Sequence, residues 1–383
     1  MRERVPALDG LRGLAIIGVL YAHNGLLWGL TSQPRAMNTA LASLASVGGL
    51  GVELFFVLSA YLITGILLDT KGSAGATRNF FVRRAVRILP LYYLALMLLL
   101  VYQAPGAIAG FELWYWLNLS NWVMAWQGAL PAHGYVVFWS LGVEEQFYAV
   151  WPFVVFATTR QQLFRIAVVG IAVGLVFRIG LVLVGTSAVT VASATPGHFD
   201  SLGVGAAIAT LSRGERGLEP LVHRARLALI GTIVAVVTLG VAVGGFPADH
   251  WAMLTAGRLG FALCFGAVLV LALASPAGVV RRVAESSVLR AFGRYSYCLY
   301  LIHAPVGETL RLIAYSWAWP MLIHLGFLAH AAIFAVVVLV SLGLAWLSWR
   351  YIEAPLLALR RYFSSPPRAR IGPAAESAVA VAG

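Results

Sequence analysis

The stretch ALDGLRGLAIIGVLYAHNG, residues 7–25, decides the fold class. It is an apolar run suited to a membrane-spanning helix, interrupted by one guanidinium, Arg12, and one imidazole, His23. A helix turns about 100° per residue, so eleven residues return to within roughly 20° of the starting face. Arg12 and His23 therefore share a face, roughly 16 Å apart along the axis. Ionisable groups in a bilayer are costly unless they face protein or a wet cavity. This helix is expected to turn them toward a polar interior. The plain alternative is an arginine anchoring the helix end and a satisfied packing histidine.

Working outward, 60% of the 383 residues are hydrophobic and 11% charged, and the mean hydropathy is +0.85. A soluble chain carries roughly 25% charged residues, more than twice this share. Runs of about twenty apolar residues recur throughout. They lie at 11–30, 50–68, 86–102, 135–157, 164–184, 199–211, 227–243, 253–274, 292–313 and 321–349. The pattern predicts an all-α, polytopic integral membrane protein of about ten transmembrane helices. A single transmembrane domain is expected over residues 1–363, with a disordered, Pro- and Ala-rich cytoplasmic tail over 364–383. The basic-then-apolar start has the outline of a signal peptide, but no small-x-small cleavage pattern follows, so the first span is expected to be retained.

The formal net charge is +12. Its basic residues cluster around residue 12, at 71–87, at 160–165, at 213–226, at 281–294 and after 350. With ten spans all of these fall on one side, and Arg35 falls on the other. That asymmetry predicts both termini in the cytoplasm, and the placement of the basic residues between apolar runs argues against nucleic acid as the partner of so basic a chain. Cys264 and Cys298 have no ligand or CxxC spacing, so neither a metal site nor a disulfide framework is expected. The external loop 103–134 contains FELWYWLNLSNWVMAWQG, which predicts an interfacial or re-entrant helix forming an aromatic belt. A platform for a sugar ring or lipid is the alternative.

Other polar groups also fall inside predicted spans. In FWSLGVEEQFYAVWP, Ser140, Glu144 and Tyr148 share one helical line while Glu145 turns to a neighbouring face. Glu53 lies near the external end of the second span, His198 and Asp200 open the sixth, and His303 sits in the ninth. For Glu53, Asp200 and His303, packing and substrate contact remain equally open. A histidine, carboxylates and arginines around a membrane cavity suit acyl transfer. The imidazole takes a proton from an attacking alcohol, a carboxylate fixes its tautomer, and Arg83, Arg84 and Arg87 hold coenzyme A phosphates. For each arginine the competing reading is ordinary positive-inside charge. No GxSxG, Walker A, dinucleotide-binding or HExxH pattern is present. A transporter or flippase of a sugar, acyl group or lipid-linked glycan is the alternative, although no internal repeat supports it.

The segments LDGLRGLAIIGVLYAH, GVELFFVLSAYLITGILL, FFVRRAVRILPLYYL, WSLGVEEQFYAVWP, HFDSLGVGAAIA, YSYCLYLIHAP and YIEAPL occur in that order. Together they resemble the membrane-bound acyltransferase family 3, over about residues 7–356. The resemblance implies an enzyme moving an acyl group, expected to be acetyl, from acyl-CoA to a hydroxyl of a sugar, surface glycan or glycosylated metabolite. It implies His23 as general base, with Glu144 or Glu145 as its orienter, and donor binding by Arg12, Arg83, Arg84 and Arg87. Glu53, His198, Asp200 and His303 are expected substrate contacts, and Pro90 and Glu353 match further family positions. Ala60 and His198 depart from the usual Gly and Arg, and the weaker, pH-dependent charge of His198 is expected to alter acceptor recognition. The expected partners are acyl-CoA, the acceptor and membrane lipids. Acyl-CoA serves as co-substrate, with no tightly bound cofactor and no metal. Some relatives carry a fused extracytoplasmic esterase-like domain, whereas here about thirty residues follow the last predicted span, so transfer is expected from the membrane bundle alone.

Overall fold

The computed structural model describes residues 5–24, 43–102, 107–131, 133–314, 316 and 327–363. The predicted tail, Arg35 and the far end of the first predicted span lie outside the described residues. The described chain is helical, with no strand among its residues. Its long helices are α1 (Pro6–Asn24), α2 (Gly51–Thr70), α3 (Ala76–Tyr102), α6 (Phe138–Ala157), α7 (Arg160–Leu183), α9 (Phe199–Leu211), α10 (Val222–Ala242), α11 (Arg258–Ala274), α13 (Ser287–Ile313) and α14 (Phe327–Ser348). Short helices α4 (Glu112–Trp116), α5 (Ser120–Gln127), α8 (Ala188–Ser193), α12 (Val279–Ala284) and α15 (Ala354–Ala358) punctuate the connections.

Six helical stretches are long and apolar enough to cross a membrane: Ser43–Thr70, Ala76–Tyr102, Arg160–Leu183, Glu219–Ala242, Met253–Ala274 and Ala331–Phe363. The protein is a multi-pass membrane protein. The other four predicted runs also fold as helices, α1, α6, α9 and α13. These are short or carry the ionisable groups singled out above, which lowers their hydropathy. Helices satisfy their own backbone groups, which is why lipid tolerates them. Large apolar side chains stand exposed along α7, α10 and α14, among them Val176, Ile230 and Leu339.

Contacts between helices fix their relative directions. Helices α1 and α13 run parallel, with Asp9 against Gly293, Gly13 against Leu289, His23 against His303 and Asn24 against Gly307. Helix α2 runs antiparallel to α1, since Gly51 meets Ala15 while Gly48, before it, meets Gly18. Parallel to α2 lie α6, through Ser59–Tyr148 and Thr64–Trp151, and α9, through Glu53–Ser201 and Asp69–Arg213. Helix α7 opposes α9, pairing Gly174 with Asp200 and Ala167 with Gly203.

The α1–α13 seam depends on glycine. A Cβ on Gly13 would lie 1.9 Å from the Leu289 carbonyl oxygen, and one on Gly293 would lie 1.7 Å from that of Asp9. Small residues let membrane helices touch backbone to backbone, and this contact sets the register that continues to His23 and His303. Beside the seam, Ile16, Val19, Leu20, Phe56, Tyr92, Phe138 and Leu299 form a buried core shared by α1, α2, α3, α6 and α13.

The aromatic loop folds as two short helices, α4 and α5. Asn118 joins them with a φ of 58°, a left-handed conformation that asparagine tolerates better than most residues. Tyr92 and Tyr93 of α3 donate to the carbonyls of Tyr115 and Trp116, tying the loop to the bundle. Its outer face exposes Leu113, Leu117 and Trp126.

Candidate functional site

The α1–α13 register brings His23 and His303 together. His303 Nδ1 lies 3.0 Å from the Leu299 carbonyl oxygen, and its Nε2 lies 3.0 Å from His23 Nδ1. A carbonyl only accepts, so His303 Nδ1 carries its proton there, and the neutral ring keeps its lone pair on Nε2. His23 Nδ1 then donates to that lone pair. This leaves Nε2 as the accepting nitrogen of His23, the arrangement a general base requires.

Glu144 and Glu145 occupy a different level, and here the structure departs from the sequence reading. The Tyr300 hydroxyl is hydrogen-bonded to Ser140, which aligns α13 with the antiparallel α6. From that level His303 lies three residues toward one end and Glu144 four residues toward the other. At about 1.5 Å per residue, roughly 10 Å separates them along the bundle. The ring nitrogen within hydrogen-bond distance of His23 Nδ1 is thus His303 Nε2, while Glu144 stands at another level of the bundle. Glu144 Oε2 accepts from the Tyr148 hydroxyl at 3.0 Å, and that hydroxyl also bonds Ser59. Glu145 Oε1 is buried without a hydrogen-bond partner among the described residues.

Glu144 faces a cavity that runs from Arg12, Arg84 and Arg87 to Phe55, Phe56, Ser140 and Tyr300. The Arg84 guanidinium lies 5.0 Å from the centre of the Tyr148 ring, a favourable placement over a π face. Arg12 and Arg87 also line a wider cavity, joined there by Arg213, Arg294 and Arg360. Arg213 is held by Asp69 at 3.0 Å, and Glu353, which accepts from Ser348, lines the same space. Arg83 stands aside, sharing a smaller cavity with Arg84 and Arg360. The three additional arginines were visible in sequence only as loop charges. Nothing in their spacing tells that α2, α9, α13 and α15 bring them to one mouth.

Glu53, His198 and Asp200 meet in a separate buried network. Glu53 accepts from Arg258 at 3.0 Å and from Ser201 at 2.7 Å, with His198 Nδ1 at 3.3 Å. Asp200 pairs with Arg178 at 2.5 Å, and Arg178 also donates to the Gly197 carbonyl. Glu53, His198, Asp200 and Arg178 are at most 3% exposed. Paired charges of this kind hold α2, α7, α9 and α11 in register, because breaking one pair strands the other charge. None of the three predicted contacts lines the cavity between Arg12 and Tyr300; they lie behind Phe56, whose ring meets His198. Arg178 and Arg258, each inside an apolar run of the sequence, supply the countercharges.

The family model described as an acyltransferase domain matches residues 5–350. The chain belongs to this acyltransferase family. It is 29% identical to the peptidoglycan O-acetyltransferase OatA of Listeria monocytogenes, over 93% of this chain and 56% of that protein. It is 27% identical to YrhL of Bacillus subtilis, over 92% of this chain and 55% of that one. The O-acetyltransferase OatA of Staphylococcus aureus is 25% identical, over 92% and 57%. This acyltransferase thus spans a little over half the length of the curated relatives it matches. No solved structure matches it significantly.

Proposed function

We propose that this acyltransferase is a membrane O-acetyltransferase moving an acetyl group from acetyl-CoA to a hydroxyl of a sugar polymer. The observation that carries the reading is the hydrogen-bonded chain from His23 through His303 to the Leu299 carbonyl, set beyond a cavity whose opposite end is arginine-rich. The roughly 16 Å between the levels of Arg12 and His23 equals about five residues of extended chain. A pantetheine arm is of that order. Phosphates held among Arg12, Arg87 and Arg360 would leave the thioester near the histidines.

In the transfer step His23 Nε2 takes the proton of the acceptor hydroxyl as its oxygen attacks the thioester carbonyl. The C–O bond forms, the C–S bond breaks, and the proton passes to the departing sulfur, giving free coenzyme A. His303 keeps His23 in the tautomer that can accept. Glu144 offsets the charge of Arg12 and Arg84 within the donor cavity, a positioning role.

The alternating helix directions support ten crossings, with α1, α3, α7, α10 and α13 running one way and the other five the opposite way. The arginine mouth then lies on the side of the basic loops, which the positive-inside rule assigns to the cytoplasm along with both termini. The names of the relatives support a peptidoglycan acceptor. Coenzyme A release by the detergent-purified protein, with acetyl-CoA and soluble peptidoglycan fragments, tests the reading. Covalent transfer without a sealed vesicle also separates an enzyme from a carrier. Loss of turnover in His23→Ala is expected, and full turnover in that variant would refute the assignment of the base.

A further inference from the structure

The donor cavity ends on an apolar wall formed by Val52, Phe55, Phe56 and Leu141, closed by Tyr300 and Ser140. The wall is not equally firm throughout. Phe56 is backed by Trp139 at 6.2 Å and by His198 at 4.9 Å between ring centres. His198 in turn is fixed by the Ala192 carbonyl and sits against Glu53. That side of the cavity cannot retreat without disturbing the buried ion network. Tyr300 is different. Its ring meets Phe55 edge-on at 6.1 Å, its hydroxyl is tied to Ser140, and its other side lies 5.8 Å from the His303 ring. The ring therefore lines the end of the donor cavity and also meets the His303 ring.

A thioester brought within reach of His23 must place its acyl chain against this wall. Resting on the donor reading above, we infer that Tyr300 is the specificity-determining residue for acyl length, its ring admitting an acetyl group and excluding longer chains. Removing the ring by Tyr300→Ala frees about 100 Å³, space for roughly three or four methylenes. Tyr300→Phe keeps the bulk and loses only the bond to Ser140, so it separates ring size from hydroxyl chemistry.

The test measures coenzyme A release by the purified full chain with acetyl-CoA and with butyryl-CoA, and compares kcat/KM for the two donors. One methylene in a pocket is worth about 10- to 200-fold in selectivity, so the butyryl-to-acetyl ratio is expected to rise at least ~10-fold in Tyr300→Ala. In Tyr300→Phe the ratio is expected to stay within about twofold of wild type. An unchanged ratio in Tyr300→Ala would overturn the inference, as would an equal shift in Tyr300→Phe. If Tyr300→Ala does not purify as a folded protein, Tyr300→Leu is read instead, with thermal stabilisation by butyryl-CoA against acetyl-CoA as a measure independent of turnover. Preferential stabilisation by butyryl-CoA supports the inference and equal stabilisation overturns it. A wild-type protein that uses no acyl-CoA would sink the donor reading itself, a distinct outcome from wild-type turnover with an unmoved chain-length ratio.

Discussion

Replacing His303 with alanine removes the acceptor for His23 Nδ1–H, the bond measured at 3.0 Å. A buried donor left without its partner costs about 1–3 kcal/mol, and tautomers of His23 that hide the lone pair become populated. Because about 1.36 kcal/mol is tenfold in rate, kcat should fall roughly 5- to 150-fold. His303 does not line the arginine-edged cavity proposed to hold the donor, so KM for acetyl-CoA should stay within about twofold of wild type. His303→Gln presents an amide oxygen near the lost Nε2 and should recover kcat to within about tenfold of wild type. The double variant with His23→Ala should be no slower than His23→Ala alone, since His303 acts through His23. The assay is steady-state coenzyme A release by each detergent-purified variant. A His303→Ala protein with more than half the wild-type kcat, or a His303→Gln protein no better than His303→Ala, would refute the tautomer argument.

Gly293→Leu should prevent recovery of a monodisperse protein by size exclusion, because its Cβ would collide with the Asp9 carbonyl, whereas Gly231→Ala, which meets nothing within 4 Å, should be tolerated. Asp200→Leu should lower stability by about 3–5 kcal/mol by stranding Arg178; a melting temperature in detergent unchanged from wild type would contradict the structural role assigned to that pair. Arg87→Gln or Arg360→Gln should raise KM for acetyl-CoA about 10-fold or more, as expected on losing a charge-assisted contact, while kcat holds. The same KM should climb with ionic strength in the wild type, and a flat salt dependence would count against phosphate binding at the arginine mouth.

The apolar runs made the helical membrane class readable from sequence, since hydropathy alone constrains where backbone can cross lipid. The shared face of Arg12 and His23 was likewise legible, because it depends only on helical period. The partner of His23 was not. Glu144 and His303 both lay in predicted spans with suitable chemistry, and the choice between them depended on register set by Gly13 and Gly293 on different helices. The ionic network shows the same limit. Arg178 and Asp200 are 22 residues apart in sequence, while Glu53 and Arg258 are 205 apart. No local pattern matches such partners. The aromatic loop was half legible, since its composition predicted a helix but not the Asn118 turn that divides it into two.

The most direct test of His23 as the base for acetyl transfer uses labelled acetyl-CoA, soluble peptidoglycan fragments and the purified full chain in detergent. Mass spectrometry then follows the label into the glycan. Wild type should place acetyl ester on the sugar and release coenzyme A in equal amount. His23→Ala should do neither, while remaining monodisperse and still stabilised by acetyl-CoA. Equal label in the glycan from wild type and His23→Ala would contradict the central claim.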